Sequence, residues 1–181
     1  MRHEIIIVGR GGQGILFMGY ILGLAASKFM GYSVVSYQSY SAETRGGRTR
    51  CELIISDEED IIDDIRVSEA EYAIIMYDGG LEKIRGYTKV FYNSGLVAVS
   101  ALPEECEKIG VPATRIALEE FGSTIPANMV MLGAFALTRI VTLESLAGAV
   151  REVSRSEWAD MNIKALNIGF KFMKSLSLIH I

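Results

Sequence analysis

Ile5-Ile6-Ile7-Val8-Gly9-Arg10-Gly11-Gly12-Gln13-Gly14 is the stretch from which this chain is read. Four apolar β-branched residues run into a loop with four glycines in six positions. Behind the loop, apolar and small residues recur at Leu16, Gly19, Tyr20, Gly23, Leu24 and Ser27. That pattern predicts a buried strand over 3–8, a tight turn, and a helix over 13–30. Gly9, Gly11 and Gly14 match G-x-G-x-x-G in its required setting, after a strand and before a helix. A residue without Cβ lets the backbone take positive φ and approach a ligand. The start of the following helix offers unpaired N–H groups and a partial positive charge. Such a place holds an anion, most often phosphate. The same glycines also fit a purely structural turn that brings helix close to strand. A dinucleotide site would carry an acidic residue about 20 residues on, at the end of the second strand. Here that strand, 33–38, ends in Gln38 and Ser39, which speaks against NAD or FAD.

Outward from this unit, Gly31 is placed to close the helix. A third strand is expected from Arg48 or Thr49 to Ser56, with Cys51, Leu53 and Ile55 alternating against Arg50, Glu52 and Ile54. Asp57-Glu58-Glu59-Asp60 and Asp63-Asp64 read as a solvated turn and the first turn of a helix, in preference to a metal site. Further strands are predicted over 72–77 and 88–92, a short helix from Pro103 through Lys108, and a short strand over 111–116. Pro112 places that strand at an edge or at its own start. The remainder reads as helices over 128–139, 143–154 and 156–173, the first apolar almost all round and therefore buried. The expected fold is α/β: a three-layer sandwich with a mostly parallel sheet, helices on both faces and a helical C-terminal third. Residues 1–181 form a single domain in this reading, with no repeat or linker.

Half of the residues are hydrophobic and the mean hydropathy is +0.27. No apolar run reaches the roughly 18 residues of a membrane span. The N-terminus passes straight into a core strand, so no signal peptide is expected. So apolar a soluble chain suits one that hides surface against a partner, or one with a well-packed core. A net charge of −4 speaks against nucleic acid as the main partner. Cys51 and Cys106 fit no metal pattern and are too few for an iron–sulfur cluster, and His3 and His180 lie at the two ends. Reduced, cytoplasmic cysteines are the expectation. Asp78-Gly79-Gly80 shares Asp-Gly with the metal motif of thiamine diphosphate enzymes, but Tyr77 precedes it and no paired asparagines follow. It reads as a strand-end turn. No acid–base pair or activated nucleophile stands out.

The second informative stretch is the loop at 40–50, with Glu43, Arg45, Gly46, Gly47, Arg48 and Arg50. In a parallel sheet the ends of the first two strands share one edge, where ligands bind. Arg10, Arg45 and the amides of Gly11 to Gly14 are therefore expected to converge, and arginine's planar fork suits phosphate. Pairing of these arginines with Glu43 and nearby carboxylates, to stiffen a loop or a subunit contact, fits equally.

Gly9-x-Gly11-Gly12-Gln13-Gly14, followed by Gln38-Ser39-Tyr40-x-x-Glu43-x-Arg45-Gly46-Gly47, resembles the gamma subunit of the 2-oxoacid:ferredoxin oxidoreductases, most closely the 2-oxoglutarate branch. The resemblance continues through Ile54-Ile55-Ser56-Asp57, Asn93-Ser94, Asn128-x-x-x-Leu132-Gly133 and Asn162-x-x-Ala165-x-x-x-Gly169. One departure is Ser41-Ala42, where the family usually has Gly-Pro. The resemblance implies oxidative decarboxylation of a 2-oxoacid to acyl-CoA with reduction of ferredoxin. Thiamine diphosphate, magnesium and iron–sulfur clusters would belong to partner alpha, beta and delta subunits. This chain would be a cytoplasmic, non-redox subunit completing the site, a homodimer when isolated. Gly9, Arg10, Gly11, Gly12, Gln13, Gly14, Glu43, Arg45, Gly46 and Gly47 would then lie near coenzyme A or a subunit junction. Alternatives are the beta subunit of an indolepyruvate oxidoreductase, whose second loop usually reads Gln-Arg-Gly-Gly, and an independent nucleotide-binding protein.

Overall fold

The computed structural model describes residues 1–40, 47–58, 65–78, 86 and 88–179. Glu43, Arg45 and Gly46 of the second loop, Glu59, Asp60, Asp63 and Asp64 of the acidic stretch, and Gly79 and Gly80 lie outside them.

The apolar run at the start becomes β1 (Arg2–Arg10), with Ile5 to Val8 buried to within 2%. Fully burying side chains of this kind contributes about 1.5–3 kcal/mol each before entropy is counted. The chain turns through the glycines into α1 (Ile15–Leu24), which runs on through a single π-turn, Ala25–Phe29. Gly31 then takes a left-handed φ of 73° and donates to Ser27 O at 3.1 Å, closing the helix as expected. The strands β2 (Ser33–Tyr40) and β3 (Arg48–Ser56) pair antiparallel, and β4 (Tyr72–Ile75), β5 (Lys89–Asn93) and β6 (Glu107–Val111) follow. The six strands are ordered β2-β3-β1-β4-β5-β6. Only β3 opposes the rest, so five strands end at one edge.

This topology brings Gly47, at the end of the second stretch, to the glycine loop. β3 lies between β1 and β2, and its first residue, Arg48, pairs with Arg10, the last of β1. Gly47, just ahead of β3, therefore lies beside the glycine loop, and Gly11 N–H donates to Gly47 O at 2.9 Å.

On one face of the sheet Ile5, Ile7, Leu53, Ile55 and Ile74 form the main core with the helices. These are α1, α2 (Ala113–Phe121), α3 (Ala127–Phe135), α4 (Leu143–Val153) and α5 (Ser156–Ile179). α3 is buried at every residue, as its all-round apolar sequence predicts. On the other face Ile6, Val8, Ala73, Ile75 and Val90 meet Ala70, Val97 and Leu102, near a 3-10 turn at Val99–Ala101. The α/β class, the mostly parallel sheet and the helical C-terminal third hold.

Two local expectations are corrected. The predicted strand over 111–116 is the end of β6 followed by the start of α2, and the predicted helix from Pro103 through Lys108 is a turn leading into β6. Pro112 stands at the N-cap of α2, where a missing N–H costs nothing, and its carbonyl accepts from Ile116 N at 2.9 Å. Ala113, Ile116 and Ala117 then form the buried stripe of an amphipathic helix.

Candidate functional site

The glycine loop is held by its own glutamine. Gln13 Oε1 accepts from Arg10 N at 2.9 Å, and Gln13 Nε2 donates to Met76 O at 3.1 Å, fixing the loop to the end of the neighbouring strand. Asn93 at the end of β5 extends this tie. Its Nδ2 donates to Thr114 Oγ1 at 2.7 Å, and its Oδ1 accepts from Thr114 N at 3.3 Å. Gly12 and Gly14 take positive φ, 92° and 68°. At Gly14 the requirement is double, because a Cβ would also stand 2.4 Å from Asn128 Nδ2. At Gly12 a Cβ would meet nothing within 4 Å, so that edge of the loop is open. Met18 is the first residue of α1 whose amide reaches back, to Gly14 O at 2.9 Å. Gly14 supplies no side-chain cap and the first turn holds no acid, so the helix start keeps its donors and its positive end.

The loop divides two clefts at the sheet's edge. One, of about 280 Å³, lies between Gly12, Gln13, Met76, Leu96 and Thr114. The other, of about 360 Å³, lies between Gly12–Gly14, Phe17, Asn128 and the start of α5. The second exists because α3 and α5 pack with their backbones nearly touching. A Cβ on Gly133 would fall 2.0 Å from Leu166 O, and one on Gly169 would fall 1.8 Å from Val130 O. This close crossing brings Asn128 of α3 and Asn162 of α5 to the same cleft. Asn128 donates to Gly14 O at 3.3 Å and accepts from Met129 N at 2.8 Å.

Arg10, Arg48 and Arg50 do not line that cleft, and Arg45 lies outside the described residues. Strand alternation puts Arg10 on the face of Ile6 and Val8, where its guanidinium lies 4.8 Å from the centre of the Tyr77 ring. Arg48 is paired opposite it in the ladder and is exposed. Arg50, on the same face, stands 2.8 Å from Glu52 as an ion pair. Glu52 is 1% exposed and is gripped by Arg66 through Nε at 3.0 Å and Nη2 at 2.9 Å, with Val67 N donating at 3.0 Å. Burial disfavours its charge, but the Arg66 and Val67 hydrogen bonds and the Arg50 and Arg66 charges together outweigh it. They hold Glu52 below the usual carboxylate range. Arg66 also covers the Tyr37 ring at 4.0 Å, so this cluster fastens the 65–67 segment to the sheet.

Gly9 to Gly14 and Gly47 are thus brought together at one edge, with Arg10 turned to the sheet's other face. Sequence reasoning missed the α5 side of the cleft, namely Arg155, Trp158 and Asn162. Their signal was spacing. Trp158 and Asn162 are four apart on one helix and Arg155 three before, which puts them on one face. Among the described residues no cluster of three or more His, Cys, Asp and Glu side chains is arranged to hold a metal ion, and no helix is long and apolar enough to cross a membrane.

The family model described as pyruvate ferredoxin/flavodoxin oxidoreductase matches residues 4–172. The 2-oxoglutarate synthase subunit KorC of Methanocaldococcus jannaschii is 37% identical, covering 97% of this chain and 96% of the relative. The gamma subunit of a keto/oxoacid ferredoxin oxidoreductase from Geobacter sulfurreducens superposes with a TM-score of 0.79 at 29% identity, covering 96% of this chain and 99% of that one. The 2-oxoglutarate:ferredoxin oxidoreductase of Magnetococcus marinus, solved with 2-oxoglutarate, coenzyme A and succinyl-CoA bound, shares the fold with a TM-score of 0.81 at 22% identity. That match covers 96% of this chain and 31% of the larger one. With the glycine loop, the opposed β3 and the nearly complete match in view, this chain belongs to the pyruvate ferredoxin/flavodoxin oxidoreductase family.

Proposed function

We propose that this chain is the gamma subunit of a 2-oxoglutarate:ferredoxin oxidoreductase, which converts a 2-oxoacid and coenzyme A to acyl-CoA and CO2 while reducing ferredoxin. The likeness to 2-oxoglutarate synthase subunits, which runs almost end to end in both chains, carries this reading. Residues 1–181 act as one gamma-type domain in the cytoplasm. Thiamine diphosphate, magnesium and iron–sulfur clusters sit on the alpha, beta and delta partners, and this subunit completes the site without redox chemistry of its own. Gly9, Gly11, Gly12, Gln13 and Gly14, with Glu43, Arg45, Gly46 and Gly47, form the edge that meets coenzyme A or the neighbouring subunit, and Arg10 backs that edge from the sheet's other face, over Tyr77. The open side of Gly12 and the uncapped start of α1 support that placement. Outside the complex the chain pairs with itself through apolar surface such as Tyr20, which is 53% exposed.

The test is steady-state kinetics of the complex assembled with variants of this chain. Gly12→Ala puts a side chain into the open edge and adds backbone strain on the order of 1 kcal/mol. Arg45→Ala removes a charge-assisted hydrogen bond worth about 1.5–3 kcal/mol when desolvated. Apparent affinity for coenzyme A should fall about tenfold to hundredfold, and that for the 2-oxoacid far less. Unchanged coenzyme A dependence in both variants, with assembly intact, would make the loop a structural turn. Loss of assembly would place it at the subunit junction.

A further inference from the structure

We propose that a second copy of this chain docks on the open side formed by β2 and α1. Its β2 lies antiparallel to the first across a two-fold axis, so that the two sheets run on as one. This deepens the self-pairing proposed above and rests on it.

β2 stands first in the sheet, and among the described residues no strand pairs its outer edge. A strand in that position exposes a row of backbone donors and acceptors, which soluble chains protect by shortening the strand or charging it. The opposite edge is protected in this way. β6 has five residues and carries Glu107 and Lys108, and Glu107 pairs with Lys89 at 2.9 Å. β2 is neither short nor charged. It has eight residues, Ser33–Tyr40, none of them ionisable near pH 7, and Ser36, Gln38 and Tyr40 are exposed along one face. Such an edge is a template for another strand.

The helix above that edge is uncovered too. α1 is apolar on every side, the pattern of a helix buried all round. Yet Tyr20 is exposed, and an open groove of about 410 Å³ lies between Tyr20, Gly23 and Leu24 on α1 and Val34, Ser36 and Gln38 on β2. The uncovered helix face is therefore continuous with the uncovered strand edge.

Charge selects the occupant. Between Arg10 and Glu43 the chain has one charged residue, Lys28, in a sequence 22% charged, and Lys28 pairs with Glu152 at 2.6 Å. On the sheet's other face Arg66 covers Tyr37 of β2, but it is bound to Glu52. A two-fold axis sets each group against its own kind, so a charged face repels its copy and a neutral one does not. A strongly acidic or basic partner would meet no opposite charge on this face. The size also suffices. Eight residues at about 3.4 Å make the edge about 27 Å long, and sheet and helix together stand about 20 Å high. That gives about 1,100 Å² over both copies, just above the roughly 1,000 Å² of a specific interface, so dissociation is expected in the micromolar range.

Sedimentation velocity of the purified full chain across concentration reads the association, and hydrogen exchange at high and low concentration reads where it occurs. The expected result is a monomer–dimer equilibrium, with concentration-dependent protection confined to β2 and α1. Tyr20→Glu combined with Gln38→Glu sets like charges across the two-fold and should weaken association about tenfold or more. Both side chains are exposed in the single chain, and the thermal midpoint of the double variant confirms its folding. Lys108→Glu, on the opposite edge, should leave the dimer unchanged. A wild type that is monomeric at every concentration overturns both this proposal and the self-pairing it rests on. A dimer that the folded double variant leaves intact, or whose protection falls on β6, overturns the docking face and leaves self-pairing standing. Protection of β2 and α1 that arises only when alpha, beta and delta subunits are added gives the face to a partner subunit and overturns the second copy. None of these results touches the oxidoreductase function proposed above.

Discussion

Replacing Gly169 by alanine should loosen the contact on which the cleft depends. The added Cβ would fall 1.8 Å from Val130 O and 2.8 Å from Val130 C. Carbon against a carbonyl oxygen relaxes at about 3.3 Å, so α3 and α5 must part by about 1.5 Å. The obstacle is backbone inside a fully buried helix and cannot rotate away, unlike a flexible side chain. Overpacking of this kind costs about 1–3 kcal/mol, here at the upper end. Alanine's better helix propensity offsets about 1 kcal/mol. The net expectation is a loss of about 2 kcal/mol. For a domain of this size that lowers the thermal midpoint by about 4–8 °C. The assay is thermal unfolding followed by circular dichroism, with the wild type run in parallel. Propensity alone predicts a rise, so the sign is decisive. An unchanged or raised midpoint in Gly169→Ala would refute the close crossing and, with it, the placement of Asn128 and Asn162 at one cleft.

Glu52→Gln should destabilise the fold by about 1–3 kcal/mol, since Arg66 is half-exposed and can hydrate once its partner is neutral. Because the folded state holds Glu52 below its unfolded value, its stabilising effect is full above the ordinary carboxylate range and is lost as the pH falls through the folded pKa. The wild type should therefore lose stability in that acid window and the variant should lose less, which denaturant titrations from pH 7 downward will read; parallel curves would contradict it. Burial pushes the Cys51 thiol up to about 11, so at pH 8 only about 0.1% is thiolate. Alkylation at pH 8 should spare Cys51 in the folded chain and label it in denaturant, and rapid labelling of the native protein would show that its pocket opens.

The β1–loop–α1 unit was legible because each residue type serves one local purpose: β-branched residues fill a buried strand, and glycines take φ of 92° and 68° at Gly12 and Gly14. The buried α3 was legible from its all-round apolarity. The segment at 103–116 was not. Val111, Thr114 and Ile116 favour a strand locally, but Pro112 at a helix N-cap and the pairing of Thr114 with Asn93 decide for a helix, and that pairing spans 21 residues. The meeting of the glycine loop with Gly47 depends on β3 running antiparallel between β1 and β2, which no local pattern encodes. Arg10 was placed among the phosphate-binding groups because it sits among the glycines, yet strand alternation turns it onto Tyr77. Arg155, Trp158 and Asn162 reach the site only through the packing of Gly133 and Gly169, a contact between helices distant in sequence.

If this chain completes a 2-oxoglutarate:ferredoxin oxidoreductase, turnover requires it. The most direct measurement is reduction of a low-potential acceptor by its partner subunits, with 2-oxoglutarate and coenzyme A, assembled with and without this chain. Acyl-CoA formation and acceptor reduction are expected only when this chain is present, with 2-oxoglutarate preferred over pyruvate and indolepyruvate. Equal turnover without it, or preference for another 2-oxoacid in the full complex, would contradict the claim.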